Sequence, residues 1–288
     1  MSNNAKGLAI TSLGVLIMSL ESLLVKLTNI DTITFCFYLG IFIFISMAIT
    51  LIIKEKEEIK VITKKSFPIL IACAILMGSS NFFFISGIKN TSVANVVIIF
   101  GTSALFSALY AYLIYKEKVT KNILIASTFM IFGLFIIFKD DLGLGNMIGN
   151  IYALLAVSCF SLAFVFLSKH ININRIALTA TVGLYMAITS FILSDSLIID
   201  LRTLGVLLLM GLLVNPFARV LMSNGTKYIS ASEATLLMII ETIMAPIWVW
   251  MFLNEIPNSN TFIGGSIIIL TLVANSLYTL KRNKVKSI

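Results

Sequence analysis

The chain is divided into runs of apolar residues, each close to 20 residues long and separated by short polar connections. A helix needs about 20 apolar residues to cross the ~30 Å hydrocarbon core of a bilayer. Because 59% of the residues are hydrophobic and 12% are charged, a soluble core of this size could not bury the apolar surface. The sequence therefore predicts an all-α membrane protein with ten transmembrane helices, near residues 7–29, 32–53, 67–88, 91–115, 121–138, 147–168, 175–193, 203–226, 231–253 and 261–280.

The positions of the basic residues predict how the chain is oriented. Loops that remain in the cytoplasm are enriched in Lys and Arg. If the N-terminus lies inside, 16 of the 21 Lys and Arg residues fall on the cytoplasmic side, including the lysines between Lys54 and Lys65. An even number of spans then also places the C-terminus in the cytoplasm.

The second half of the sequence repeats part of the first at a constant offset of 138 residues. Aligned without a gap, residues 87–120 and 225–258 match at four positions, which are Gly87 with Gly225, Lys89 with Lys227, Ser92 with Ser230, and Glu117 with Glu255. Each half contains five predicted helices, so the halves cross the membrane in opposite senses. We expect two inverted repeats, 1–140 and 141–288, with a substrate site near the midplane where they meet.

The repeated motif also resembles a known family. It comprises Gly87-x-Lys89-x-x-Ser92 and an apolar helix that ends in Glu117-Lys118-Val119-Thr120, with an echo that ends in Asn254-Glu255-Ile256-Pro257. Over essentially the whole chain this pattern resembles the EamA-type branch of the drug/metabolite transporter superfamily. The resemblance implies a ten-helix inverted-repeat fold in a bacterial inner membrane, and export or exchange of small metabolites such as amino acids. In the first span, Met18-Ser19-Leu20-Glu21 stands where the family often has a Trp-Gly pair.

Polar residues near the middle of the predicted spans are candidates for binding substrate. A charge at the centre of a spanning helix costs about 2.5–3.5 kcal/mol, so it is a candidate for a functional role. Arg219 and Glu241 lie near the middle of spans 8 and 9, and the 138-residue offset maps them onto Asn81 and Ser103. We expect these four residues to line a shared central cavity. The alternative is a salt bridge between Arg219 and Glu241 that only holds helices together.

Two carboxyl groups are candidates for proton coupling, Glu21 in span 1 and Glu241 in span 9. Burial disfavours the charged form of a carboxyl group, which suits a group that must take up and release a proton. Glu21 could instead be hydrogen-bonded to a neighbouring helix. Glu233 has the spacing of a helix-capping box with Ser230, and Lys26 is expected to extend towards the lipid headgroups.

Prolines and aromatic residues in the central spans supply candidates for hinges and gates. Pro216 and Pro246 interrupt spans 8 and 9, and a proline inside a helix frees a carbonyl group and permits a bend. The alternative is a static kink that packing absorbs. Tyr110 and Trp248 are matched by the offset and lie about two turns from the central positions, where they could gate the cavity or simply face lipid.

The sequence carries no sign of catalysis. The single histidine, His170, falls in a predicted loop, and there is no two-histidine metal motif, phosphate-binding glycine loop or nucleophile elbow. We therefore expect no enzyme activity, catalytic residue, cofactor or metal. The expected partners are a small-molecule substrate and the lipid bilayer, without nucleic acid, for a monomer or homodimer.

Three classes of function remain open at this point. The first is a secondary transporter that moves an amino acid or a related zwitterion by alternating access. The second is a lipid-carrier flippase of related fold, and the third is a membrane scaffold that transports nothing. Charged residues within the spans favour the transporter, because a scaffold would not need them.

Overall fold

The described residues form helices and no strands. A computed structural model describes residues 3–54, 67–117, 121–141, 147–170, 173–225, 228 and 237–286. Within them, eight helical segments are long and apolar enough to cross a membrane, and two shorter apolar helices follow at Ile239–Leu253 and Ser259–Asn275. The prediction of an all-helical membrane protein is confirmed. Some features of the sequence analysis lie outside the described residues. They are the lysines between residues 55 and 65, residues 118–120, and the predicted capping box of Ser230 and Glu233.

The helix bounds agree with most of the predicted spans to within a few residues. In chain order the helices are α1 (Asn3–Met18), α2 (Leu20–Lys26), α3 (Thr32–Lys54), α4 (Phe67–Asn90), α5 (Val93–Gly101), α6 (Ser103–Tyr115), α7 (Lys121–Asp141), α8 (Met147–Lys169), α9 (Arg175–Leu193), α10 (Leu201–Leu208), α11 (Asn215–Gly225), α12 (Ile239–Leu253) and α13 (Ser259–Lys286). A π-helical segment, Leu209–Val214, joins α10 to α11.

Two predicted spans are each divided into two helices by a hydroxyl residue. Ser19 separates α1 from α2, and its Oγ donates to the carbonyl of Leu16 at 2.6 Å. Thr102 separates α5 from α6, and its Oγ1 donates to the carbonyl of Ile99 at 2.6 Å. Such side chains compete for backbone carbonyl groups and often bend helices. The sequence predicted the length of these spans correctly and missed both breaks.

The helices of the first half of the chain pack mainly against helices of the second half. The most extensive contacts join α3 to α9, α4 to α8, α7 to α13 and α1 to α11. Glycine allows the close approach at two of these crossings: a Cβ atom on Gly40 would lie 2.7 Å from the carbonyl oxygen of Gly183, and one on Gly133 would lie 2.8 Å from that of Gly264. Without a hydrophobic driving force in lipid, such small-residue contacts allow the dispersion packing that holds helices together.

The ends of several helices are fixed by local hydrogen bonds. Asp31 precedes α3, and its carboxylate accepts from the Thr34 backbone N–H at 2.9 Å. Asn174 precedes α9, and its Oδ1 accepts from the N–H groups of Ile176 and Ala177 at 2.9 Å. Partial burial acts to raise the pKa of Asp31, but the hydrogen bonds from Thr34 and nearby backbone outweigh it and lower that pKa below its usual value.

Candidate functional site

Three charged residues from three different helices lie within electrostatic range of one another inside the spans. Glu21 lies on α2, Arg219 on α11 and Glu241 in the first turn of α12. Arg219 is the charged neighbour of Glu21, and Glu241 interacts electrostatically with both. The side chain of Asn215, the first residue of α11, lies beside the carboxyl group of Glu21. We call Glu21, Asn215, Arg219 and Glu241 the central cluster.

The charges of the central cluster face one another without forming a close ion pair. Among the described residues, the ion pairs within 4.0 Å join Lys26 to Glu255 and Lys169 to Glu117, and neither includes a member of the cluster. The structure therefore does not contain the direct Arg219–Glu241 salt bridge that was the alternative to a binding site. Charges that share a low-dielectric region without direct pairing are costly, so the cluster resembles a site that a polar ligand would complete.

Two buried donors of the cluster make no close hydrogen bond with another described residue, although one of them, on Asn215, faces the carboxyl group of Glu21. They are Nδ2 of Asn215, a residue that is 2% exposed, and Nε of Arg219. The large majority of buried side-chain polar atoms in proteins have a hydrogen-bond partner. Because Asn215 and Arg219 are four residues apart on α11, their side chains lie on the same face of the helix. These two donors therefore point into one region beside Glu21.

The local fold of span 8 explains how these side chains are positioned. Pro216 has no N–H, so the carbonyl of Leu212, four residues earlier, cannot receive the usual α-helical hydrogen bond. Immediately before it the helix widens into the π-helical segment, and the N–H of Asn215 donates to the carbonyl of Met210, five residues back. The Pro216 prediction thus coincides with a backbone irregularity, while its role as a hinge stays a prediction.

Asn215 is the member of the cluster that the sequence analysis missed. Its signal was present, because it precedes Pro216 and lies one helical turn before Arg219 in the same span. An asparagine in an apolar span can equally bond to its own backbone or to a neighbouring helix. The sequence does not reveal which helix it faces, and that information decides its role.

Tyr110 and Trp248 make equivalent hydrogen bonds in the two halves of the protein. The hydroxyl group of Tyr110 on α6 bonds to Ser158 Oγ on α8 at 2.5 Å. The indole Nε1–H of Trp248 on α12 donates to Ser19 Oγ at 2.9 Å. Trp248 lies two turns after Glu241 on the same helix, and Ser19 lies two residues before Glu21. The structure thus joins Trp248 to the junction of α1 and α2, close in sequence to Glu21, and the gating role of both aromatics stays a prediction.

Asn81 and Ser103 have their described contacts elsewhere. Asn81 Nδ2 donates to the sulfur of Met186 on α9 at 3.5 Å. The carbonyl of Ser103 accepts from Ser161 Oγ on α8 at 3.1 Å. Their assignment as substrate-binding residues stays a prediction. The structure brings together Glu21, Arg219 and Glu241, and within the described part of the chain Asn81 and Ser103 make their hydrogen bonds to Met186 and Ser161 instead.

Lys26 forms an ion pair and is not free to extend towards the headgroups as expected. Its Nζ lies 3.0 Å from Glu255 Oε2 and 3.1 Å from the carbonyl of Thr91. The other carboxylate oxygen of Glu255 accepts from the Val93 N–H at the start of α5 at 2.8 Å. This network joins α2, α5 and the segment after α12. Pro246, the other proline candidate, lies inside α12 and lines a small recess with Val249, Pro257 and Glu255.

No group of three or more His, Cys, Asp or Glu side chains within the described part of the chain could hold a metal ion. The three cysteines are free, and Cys36 and Cys73 are buried. The central cluster offers one guanidinium group, one amide and two carboxyl groups. These groups recognise polar and charged ligands through hydrogen bonds and ion pairs.

The fold and the site together define a class of protein. It is a multi-pass helical membrane protein with charged residues inside its spans. The chain belongs to the EamA-like transporter family, whose model matches residues 5–139 and again 147–277. A protein of Clostridium kluyveri described as an uncharacterized transporter is 25% identical over 270 residues, which are 88% of this chain and 87% of that protein. The resemblance to the EamA-type branch is thereby confirmed.

The overall fold also has a counterpart among solved structures. A crystal structure of another protein superposes with a TM-score of 0.66 and covers 96% of this chain and 98% of that one. The two sequences are 12% identical, so the likeness concerns the fold alone. The role of membrane transporter comes from the family match.

Proposed function

We propose that this protein is a secondary transporter that moves a small polar metabolite across a bacterial inner membrane by alternating access, in export or exchange. An amino acid or a related zwitterion fits the central cluster best. Arg219 offers a cation for a carboxylate, and Glu241 offers an anion for an ammonium group. The observation that carries the proposal is that these opposite charges lie together inside the spans without forming a direct ion pair.

The proposed architecture is ten transmembrane helices in two inverted five-helix repeats, residues 1–140 and 141–288, with both termini in the cytoplasm. Three pairs of features support it. Lys26 and Lys169 each form an ion pair with a glutamate that follows a helix of the other half. Tyr110 and Trp248 each form a hydrogen bond with a serine of the other half. Asp31 and Asn174 each cap the helix that follows them. Repeats of this kind allow one half to rock against the other around a central site.

A lone hydrophobic cation fits the proposed site less well, because Arg219 would repel it. A lipid-carrier flippase would need the cluster to open sideways to the bilayer, and no described feature favours that function. The same polar groups would serve no purpose in a scaffold.

Transport by the purified protein in proteoliposomes tests the proposal. Vesicles loaded with unlabelled amino acids should accumulate labelled amino acid by exchange, and Arg219→Gln should reduce the initial rate by at least about tenfold, a loss of ~1.4 kcal/mol of interaction. Arg202→Gln is the matched control, because Arg202 is exposed at the start of α10. Movement of labelled phospholipid or lipid carrier without any solute exchange would refute the transporter proposal in favour of the flippase.

A further inference from the structure

We infer that Asn215 is a substrate-binding residue, and that Asn215 and Arg219 together bind the carboxylate of an α-amino-acid head group whose ammonium group lies against Glu21 and Glu241. The inference rests on the proposed function and deepens it. It assigns a residue outside the predicted set and states which side of the cluster receives each end of the ligand.

The placement of the carboxylate follows from the two buried donors. Asn215 Nδ2 and Arg219 Nε are both buried, and neither makes a close hydrogen bond with another described residue. One N–H of Asn215 Nδ2 faces the carboxyl group of Glu21, and its second N–H remains for a ligand. Asn215 and Arg219 lie one turn apart on one face of α11, so both side chains can reach a single carboxylate beside that face. A charge-assisted pair of this kind is among the stronger hydrogen-bonding arrangements in proteins. An uncharged amide beside a guanidinium group also favours an anion without adding a second positive charge.

The placement of the ammonium group follows from the two acidic residues. Glu21 on α2 and Glu241 on α12 interact electrostatically with each other, and like charges that share a low-dielectric region repel each other strongly unless a positive group compensates them. An ammonium group has three donors and no acceptor, so two carboxyl groups satisfy it well. Arg219 interacts with both carboxyl groups without a direct pair, which keeps its Nε available to the other end of the ligand.

The helices that carry these residues place the polar groups of the cluster against the head group of the amino-acid ligand and not against its side chain. The cluster draws on α2, α11 and α12, and α1 packs against both α11 and α12. The charged members of the cluster, Arg219, Glu21 and Glu241, complement the carboxylate and the ammonium group of the ligand. Polar recognition is thus concentrated on the two charged groups that all α-amino acids share.

Binding measurements on the full-length protein in nanodiscs test the inference. The probes are L-alanine, L-serine, L-leucine, L-phenylalanine and L-lysine, each compared with its carboxamide, in which the carboxylate is replaced by a neutral amide. Wild-type protein should bind the best amino acid at least about tenfold more tightly than its carboxamide, since hydrogen bonds to a charged group are the strong ones. Asn215→Leu should weaken binding of the amino acid by about tenfold and leave binding of the carboxamide within about twofold.

Ser190→Ala is the matched control. Ser190 on α9 is also completely buried with an unpartnered oxygen, but it lies outside the cluster, so both ligands should bind this variant as they bind the wild type. If Asn215→Leu does not fold, Asn215→Asp serves in its place, because it keeps the shape and replaces the donor with an anion. That variant should lose the amino acid and retain the carboxamide.

The outcomes separate this inference from the proposed function. Equal weakening of amino acid and carboxamide by Asn215→Leu, or no weakening of either, would overturn the assignment of Asn215 while the transporter proposal stands. A wild-type protein that prefers the carboxamides would overturn the orientation of the head group. Absence of binding and exchange for every amino acid in the panel would count against the proposed function itself.

Discussion

Lys116 and Asn254 have the same left-handed backbone conformation, with φ of 56° and 54°, and lie 138 residues apart in the sequence. Each directly follows a helix, α6 or α12, and each directly precedes a glutamate that forms an ion pair with a lysine of the other half. Among the described non-glycine residues these two have positive φ. A conformation that is rare for such residues therefore recurs at the offset of the sequence repeat.

Replacement of the two carboxyl groups of the central cluster tests proton coupling. Glu241→Gln keeps size and hydrogen bonding, and we expect it to reduce proton-driven net transport by at least about tenfold. Substrate exchange, which need not move a proton, should survive. Because Glu21 interacts with Glu241, Glu21→Gln should change the pH dependence as well. The measurement is uptake into proteoliposomes with and without an imposed pH gradient, with Asp195→Asn, on the exposed connection before α10, as the control.

If net transport by Glu241→Gln keeps the pH dependence of the wild type, Glu241 has a structural role and Glu21 becomes the candidate for proton coupling. The same result in both variants would mean that neither carboxyl group couples transport to protons. Folding of each variant is checked by its melting temperature, so that loss of function is not mistaken for loss of protein.

Reporter fusions test the proposed orientation. Fusions after Lys60 and Lys284 should report the cytoplasm, and a fusion after Asp140 should report the outside, because this orientation collects most of the basic residues on the cytoplasmic face. The measurement is a pair of reporters that are active on opposite sides of the membrane. An external signal at Lys60 would reverse the topology.

The ion pairs at the two equivalent positions should differ in strength. Lys26 and Glu255 are 22% and 25% exposed, whereas Lys169 and Glu117 are 43% and 46% exposed. Solvent and salt weaken exposed pairs. Double-mutant cycles with Lys→Met and Glu→Gln should therefore give about 1 kcal/mol for Lys26–Glu255 and less for Lys169–Glu117. Melting temperatures of the variants at low and high salt provide the measurement, and a stronger Lys169 pair would contradict the expectation.

The helix caps at Asp31 and Asn174 should differ in their response to acid. The hydrogen bonds that lower the pKa of Asp31 stabilise the folded protein above the unfolded pKa, and this contribution is lost as the pH falls through the lower folded value. Asp31→Asn retains a capping side chain. Its melting temperature should therefore depend less on pH than that of the wild type between about pH 5 and pH 2. Asn174→Asp should do the reverse. Identical acid profiles for all three proteins would show that this cap does not contribute.

The sequence could predict the all-helical membrane class and the rough bounds of most helices, because lipid imposes a length and an apolar composition on each span. Arg219, Glu21 and Glu241 could be selected as candidates, since charges inside apolar spans are visible in a single chain, and their roles stay predictions. The sequence could not tell which helices adjoin one another. The contact of α2 with α12 places Glu21 beside Glu241, and this neighbourhood depends on packing between segments more than 200 residues apart. For the same reason Asn215 escaped notice.

The π-helical segment has the effect of one extra residue in span 8, because it shifts the angular positions of all residues that follow it. A π-turn contains one residue more than the i→i+4 spacing of an α-helix requires, and each residue turns the helix by about 100°. Deleting one residue between Leu209 and Val214 would let the segment return to α-helical geometry. Asn215 and Arg219 would then rotate away from Glu21. The number of residues in the segment before Pro216 thus sets the direction in which Arg219 points. A point substitution does not change that number.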